Sequence, residues 1–228
     1  MADAAKRASA RTVNAVVPCY GYARQDRKAA AREPITAKLV ANLMTVSGIN
    51  RVITVDLHQG QIQGFFDTPV DHLTALPIFA DYFKKKGLTS ENLCVVSPDV
   101  GRAKAAKKLS DMLESDLAIM HKGRPGHNKA EITALIGDVA GKTCIVNDDM
   151  IDTAGTLCAA VATLKEKGAN KVYVCASHPV FSGPAYERIA ESQIDEVVVC
   201  NTIRIPEERR TGKIRVISVA PLLARAIR

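Results

Sequence analysis

Thr143-Cys-Ile-Val-Asn-Asp-Asp-Met-Ile-Asp-Thr-Ala-Gly-Thr156 decides how this chain folds. Its apolar run, Cys144, Ile145 and Val146, has the length and composition of a buried strand. Two adjacent acids, Asp148 and Asp149, follow. Then come Asp152, Thr153, Ala154, Gly155 and Thr156, and after them a helical pattern, Leu157-Cys-Ala-Ala-Val-Ala-Thr-Leu-Lys-Glu-Lys167. Strand, acid pair, small-residue turn and helix in that order make a cradle for a sugar phosphate. Unpaired backbone N–H groups at a helix start, with the positive end of the helix dipole, hold an anion. Gly and Ala let the backbone approach it, and threonine hydroxyls add donors. The neighbouring carboxylates can accept hydrogen bonds from two sugar hydroxyls. An ordinary corner with a capping Asp or Thr is the bland alternative, but a cap needs one acid and this loop spends three.

Outward from that stretch, strand-like and helix-like segments alternate. The pattern predicts strands over 13–18, 51–57, 92–97, 117–120, 132–136, 143–146, 171–176, 196–200 and 213–219. It predicts helices over 36–47, 76–86, 102–114, 155–167, 184–191 and 221–228, with Gly87 and Gly168 as stops. Such alternation argues for an α/β fold with mainly parallel sheets flanked by helices, and ligands in such sheets sit at the carboxyl ends of the strands. The 228 residues suffice for one and a half to two lobes. The expected division is 1–75, 76–212 and a closing strand and helix at 213–228.

Hydrophobic residues make up 47% and charged residues 24%, the balance of a soluble globular chain. No apolar run approaches the roughly 20 residues that span a bilayer, and the opening residues lack a signal peptide's apolar core. A cytoplasmic location is expected. Six cysteines contain no Cys-x-x-Cys pair, and Cys94, Cys144, Cys175 and Cys200 lie in strand-like runs, so reduced buried thiols are expected. The net charge is +7, yet the basic residues are scattered and aromatics are 4% with no Trp. That leaves few stacking platforms and argues against a nucleic-acid partner.

The polar clusters all follow strands. Tyr22-Ala-Arg-Gln-Asp-Arg27 combines an aromatic ring with guanidiniums, which bind phosphate bidentately and stack on flat rings. Asp56-Leu-His58 ends a second strand, and Ser97-Pro-Asp99 a third. Each is weak alone: a basic loop is usually solvated, a lone His usually a packing residue, and Pro-Asp ordinary turn chemistry. His121-Lys-Gly-Arg-Pro-Gly-His-Asn128 follows a fourth strand, and the stretch Lys122–Glu131, rich in Gly, Pro and polar groups, reads as a mobile loop.

Asp148–Thr156 resembles the phosphoribosyl-pyrophosphate loop shared by type I phosphoribosyltransferases and ribose-phosphate pyrophosphokinases. The wider set, Gly21-Tyr-Ala-Arg-Gln-Asp-Arg27, Pro34-Ile-Thr-Ala-Lys38, Val55-Asp-Leu-His58, Gln61-Ile-Gln-Gly-Phe-Phe66, Val96-Ser-Pro-Asp99, Lys122-Gly-Arg-Pro125 and His178-Pro-Val-Phe-Ser-Gly183, resembles the class I ribose-phosphate pyrophosphokinases from end to end.

The resemblance implies two phosphoribosyltransferase-like lobes and a reaction of Mg2+-ATP with ribose 5-phosphate that gives AMP and phosphoribosyl pyrophosphate. It implies that Arg24, Gln25, Asp26 and His58 contact ATP and that His58 and Asp99 serve Mg2+. Lys122 and Arg124 would be catalytic, Arg124 also touching ribose 5-phosphate. Asp148, Asp149, Asp152, Thr153, Ala154, Gly155 and Thr156 would bind that sugar phosphate. A homo-oligomer, hexameric in the family, is implied as well. Family members carry a Phe-x-Asp-Gly-Glu segment ahead of the region matching residue 1 and a longer tail, so the first lobe is expected to be incomplete. The rival readings are a silent partner subunit of a synthetase and a type I phosphoribosyltransferase. The latter would share the 148–156 loop, with no reason to carry Arg24-Gln25-Asp26.

Overall fold

The computed structural model describes residues 1–88, 90–123, 131–210 and 212–227. They fall into two compact units, Met1–Ala75 with Val219–Arg228, and Leu76–Ser218. The first unit contains α1 (Ala2–Arg7), β1 (Asn14–Val16), α2 (Thr36–Val46), β2 (Arg51–Val55) and β3 (Val70–Leu73). The second runs through α3 (Leu76–Lys85), β4 (Leu93–Ser97), α4 (Ala103–Leu113), β5 (Asp116–Gly123), β6 (Glu131–Ile136), β7 (Thr143–Ile151), α5 (Gly155–Glu166), β8 (Lys171–Pro179), α6 (Ala185–Glu191), β9 (Glu196–Cys200) and β10 (Ile214–Ile217). The chain then returns to the first unit as α7 (Ala220–Ile227). The segment expected to stand apart at 213–228 is therefore split: β10 pairs with β9, whereas α7 goes with the first unit, where the Ala226 carbonyl accepts from Arg51 Nη2 at 3.0 Å.

In the first unit β1, β2 and β3 form a parallel three-stranded sheet with Asn14 opposite Arg51 and Val52 opposite Val70. The sequence reading had no strand at β3, whose Val-Asp-His-Leu is too polar and too short to show a period. Arg51 pairs with Asp71 across the two strands at 2.5 Å and fixes that register.

The second unit has one seven-stranded sheet in the order β10-β9-β8-β7-β4-β5-β6. Every pairing is parallel except β5 with β6. β4 is buried along its whole length, and only the first residue of β8 and of β9 escapes burial. That is why these segments read as unbroken Val-rich runs, since a parallel sheet covered on both faces has no polar side to alternate with. Helix α5 buries Leu157, Ala160, Val161 and Leu164 at helical spacing. Helix α3 buries Phe79 and Phe83, the latter edge-on to Tyr173 of β8 at 6.1 Å. All six cysteines are free thiols, and the four expected in strands are buried. The lysines at 84–86 are not uniformly a solvated face, because Lys86 meets Glu196 at 2.6 Å and lies over the Tyr82 and Tyr173 rings.

Gly137, just after β6, is held by close approach as well as by its backbone. Its φ is +107°, and a Cβ there would stand 2.8 Å from the Leu117 carbonyl oxygen and 3.0 Å from Ala118 Cα. Gly137→Ala is expected to destabilise the protein by about 1–3 kcal/mol. Chemical denaturation followed by circular dichroism checks it, and an unchanged midpoint would contradict the close approach.

Candidate functional site

Strand β7 does not stop at Val146 as its apolar run suggests. It continues through Asn147, Asp148, Asp149 and Met150 to Ile151, with Asp148 opposite Ala176 and Met150 opposite His178 of β8. The acids are thus carried on the last residues of a central strand, at the carboxyl edge of the sheet. Asp149 is only 2% exposed. Its N–H donates to Asp148 Oδ1 at 2.8 Å. Burial, a hydrogen bond with the Asp149 carboxyl and its charge push Asp148 up to about 7, against the pull of Arg102 and of the Asp149 N–H.

The turn after β7 is bound to the loop after β8. The Phe181 N–H donates to Ile151 O at 3.0 Å and the Ser182 N–H to Asp152 O at 3.1 Å, while the Ser182 hydroxyl donates to Asp152 Oδ1. Ala154 takes a left-handed conformation, φ +59°, and is the N-cap of α5 with no side-chain capping bond. The N-cap position is thus an alanine, not the Asp or Thr of an ordinary capped corner, and its own side chain caps none of the first N–H groups. Thr153 and Thr156 are exposed around them. Arg188 of α6 donates from Nη1 to Thr153 O at 3.0 Å, and the same Nη1 lies 3.0 Å from where a Cβ on Gly155 would be. The guanidinium thus underpins the turn and adds positive charge beside the helix start. Sequence reasoning missed Arg188, because its 35-residue separation from Thr153 leaves no local signal.

Beyond β4, the Ser97 hydroxyl donates to Asp99 O at 2.6 Å, and Asp99 Oδ1 accepts from the Arg102 N–H at 3.1 Å. Arg102, to which the sequence reading assigned no role, places its Nε 3.7 Å from Asp148 Oδ1 and 3.9 Å from Asp149 Oδ1. On β8 and beyond, Thr202 donates its hydroxyl to Ser177 O at 2.6 Å and lies 3.0 Å from His178 Nδ1. With that proton spent, the threonine oxygen accepts, so Nδ1 carries the imidazole proton.

The first unit holds the other expected residues. Ala23 is buried, and Gln25 O accepts from the Ala37 N–H at 3.1 Å, tying the loop to the start of α2. Tyr20 is buried and donates its hydroxyl to Ala37 O at 2.8 Å, burial pushing its phenol up to about 12. Arg24 and Gln25 are thereby presented outward with exposed side chains, and Asp26 is half-buried. Asp56 Oδ2 accepts from the Ala75 N–H at 2.9 Å, and the Leu57 N–H donates to His72 Nε2 at 2.9 Å, which leaves His58 half-buried at the strand end. Asp56 therefore braces the strand end.

Lys122 lies on β5 opposite Ile132, just after a register shift between His121 and Lys122. Arg124 lies outside the described residues. His58 and Asp99 belong to different units, and among the described residues no group of three or more His, Cys, Asp or Glu could hold a metal ion. No helix among the described residues is long and apolar enough to cross a membrane.

A mainly parallel α/β sheet with an anion-ready helix start and carboxylates at its strand ends belongs to the class that carries ligands at the carboxyl edge. Residues 1–48 match the N-terminal domain of ribose phosphate pyrophosphokinase, and residues 126–228 match the phosphoribosyl synthetase-associated domain. The ribose-phosphate pyrophosphokinase of Bacillus caldolyticus is 59% identical over 227 residues, covering 100% of this chain and 71% of that protein. That of Bacillus subtilis strain 168 is 55% identical over the same shares. The crystal structure of phosphoribosylpyrophosphate synthetase from Mycobacterium smegmatis superposes with a TM-score of 0.92 at 47% identity, covering 100% of this chain and 74% of that one. The chain belongs to the ribose-phosphate pyrophosphokinase family, a family of enzymes.

Proposed function

We propose that this chain transfers the β,γ-diphosphoryl group of ATP to the C1 hydroxyl of ribose 5-phosphate, giving AMP and 5-phosphoribosyl 1-pyrophosphate for nucleotide biosynthesis. The observation that carries this reading is the 148–156 loop, where an acid pair at a central strand end adjoins a helix that starts on Ala154 without a side-chain cap. Such a start suits the 5-phosphate, with Thr153, Ala154, Gly155 and Thr156 around it. Asp148, Asp149 and Asp152 suit the sugar hydroxyls. Arg24, Gln25, Asp26 and His58 would take ATP.

The reaction needs positioning and charge neutralisation more than covalent work by the protein. Lys122 and Arg124 would stabilise the charge on the group in transfer, Arg124 also touching the sugar phosphate. Mg2+ takes oxygen ligands and keeps several waters. The fit here is to a cation borne mainly by the triphosphate: Asp99 offers a carboxylate oriented by the Arg102 N–H, and His58 would assist from outside the inner sphere. That ion would supply charge neutralisation on the phosphate oxygens. A cytoplasmic homo-oligomer, hexameric as in the family, completes the reading.

A coupled assay for AMP from ATP and ribose 5-phosphate in the presence of Mg2+ tests it. Equal amounts of AMP and phosphoribosyl pyrophosphate are expected. No turnover at high protein concentration with ribose 5-phosphate still bound would leave a silent sugar-binding subunit instead.

A further inference from the structure

The Arg102 guanidinium, unlike that residue's backbone N–H, lies beside the acid pair at the end of β7. The side chain is 16% exposed, and its Nε is a buried donor with no hydrogen-bond partner among the described residues. A buried guanidinium N–H left unmade is costly. This one is turned toward two carboxylate oxygens, at 3.7 and 3.9 Å, just beyond hydrogen-bond reach. The arrangement is not an accident of a floppy surface side chain, because the Arg102 backbone is tied down. Its N–H is held by Asp99 Oδ1 at 3.1 Å, and α4 begins at the next residue and packs on β4, β5 and β7.

We propose that Arg102 is a positioning residue of the sugar site, holding the Asp148 and Asp149 carboxylates together as a charged acceptor pair for the ribose hydroxyls. The proposal rests on the ribose 5-phosphate reading and adds to it the group that lets a buried carboxylate, Asp149, and a part-buried one, Asp148, share one strand end. Two like charges side by side in a poorly solvated place push one another toward the neutral form, and a guanidinium within about 4–6 Å reverses that. Arg102 lies within that reach of both carboxylates. Asp148 is drawn up toward neutrality by burial and by Asp149, with Arg102 the opposing charge. Among the described residues, Arg102 is the cation recorded beside Asp148. On β8 its partner is Ala176, with His178 two positions further on; on α4, Lys104, Lys107 and Lys108 are exposed. Beyond β4 the nearby acid is Asp99, whose Oδ1 is engaged by the Arg102 N–H.

The test is the pH dependence of ribose 5-phosphate affinity, by calorimetry, for the wild type, Arg102→Met and Arg102→Lys, beside KM and kcat. In the wild type, binding should strengthen as the acid pair ionises. In Arg102→Met the midpoint should move up by about one pH unit, so that affinity falls about fivefold near neutrality, about tenfold at lower pH, and recovers in alkali. KM for ribose 5-phosphate should rise by a larger factor than kcat falls, and Arg102→Lys should recover part of both. An Arg102→Met profile that overlies the wild type, or one lowered equally at every pH, overturns the proposal. If Arg102→Met does not fold, a wild-type midpoint that is unchanged in a folded Arg102→Lys, with a shifted one in Arg102→Gln, supports it; no shift in the Gln variant overturns it. Carboxyl titration of the unliganded protein by carbon-13 NMR separates the two levels. An Asp148 midpoint unmoved by Arg102→Met while sugar binding persists overturns the role of Arg102 alone. A wild type that binds no ribose 5-phosphate at any pH overturns the sugar reading itself.

Discussion

Lys122→Ala is expected to lower kcat by about 10²–10³-fold, the usual loss when one donor aimed at developing transition-state charge is removed. KM for ribose 5-phosphate should change far less. The reasoning is differential binding: a group that meets charge only as the diphosphoryl unit leaves ATP contributes to the barrier and little to ground-state affinity. Lys122 sits on β5, next to β4, which ends at Ser97 with Asp99 two residues on. A register shift in the pairing with β6 falls between His121 and Lys122. Initial rates across a matrix of ATP and ribose 5-phosphate concentrations check the expectation. Turnover near the wild type would remove Lys122 from the mechanism, and a rise in KM alone would make it a binding residue.

Asp148→Asn should produce two effects of opposite sign. An amide keeps the shape of the carboxylate but loses its charge and half its acceptor capacity. Ribose 5-phosphate affinity is expected to fall roughly 10- to 100-fold, in line with hydrogen bonds to a charged group. Stability should move the other way in alkali. Burial and Asp149 lift Asp148 from 3.8 to about 7 in the folded protein, so between those values the native state holds a proton that the unfolded chain has released. Stability from this group is therefore present at low pH and is lost as pH rises through about 7. At about pH 8 the wild type carries the strained pair ionised, and the Asn variant should melt at a higher temperature; at about pH 5 that advantage should shrink or vanish. Calorimetric melts at both pH values decide it. An equal shift at both would mean that Asp148 is not the group that carries the proton, and a variant with unweakened sugar binding would take it out of the site.

Much of the site was legible in the one-dimensional order of residues. The 148–156 stretch shows its chemistry locally, because a strand end, a turn of small residues and a helix start are consecutive in sequence and the dipole and N–H groups come with them. The buried strands β4, β8 and β9 were equally legible, since burial on both faces leaves continuous apolar runs. Where the reading ended β7 too early, the cause was the same rule: it follows hydrophobicity, while this strand continues through three polar residues, its ladder with β8 still formed. The short polar strand β3 was lost for lack of a period.

What the sequence by itself determined was the class of fold, the loop and the identity of the acids, all set by contacts between near neighbours in the chain. What only the tertiary structure decided was how those acids are managed. Arg102 approaches them from 46 residues before Asp148, Arg188 supports the turn from 35 residues beyond Thr153, and Ser182 anchors Asp152 from 30 residues on. A hydrogen bond or an ion pair acts over a few ångströms of space and leaves no mark on the spacing of residues along the chain. Whether Asp148 is charged near neutrality is thus settled by burial and by neighbours that only the fold brings together.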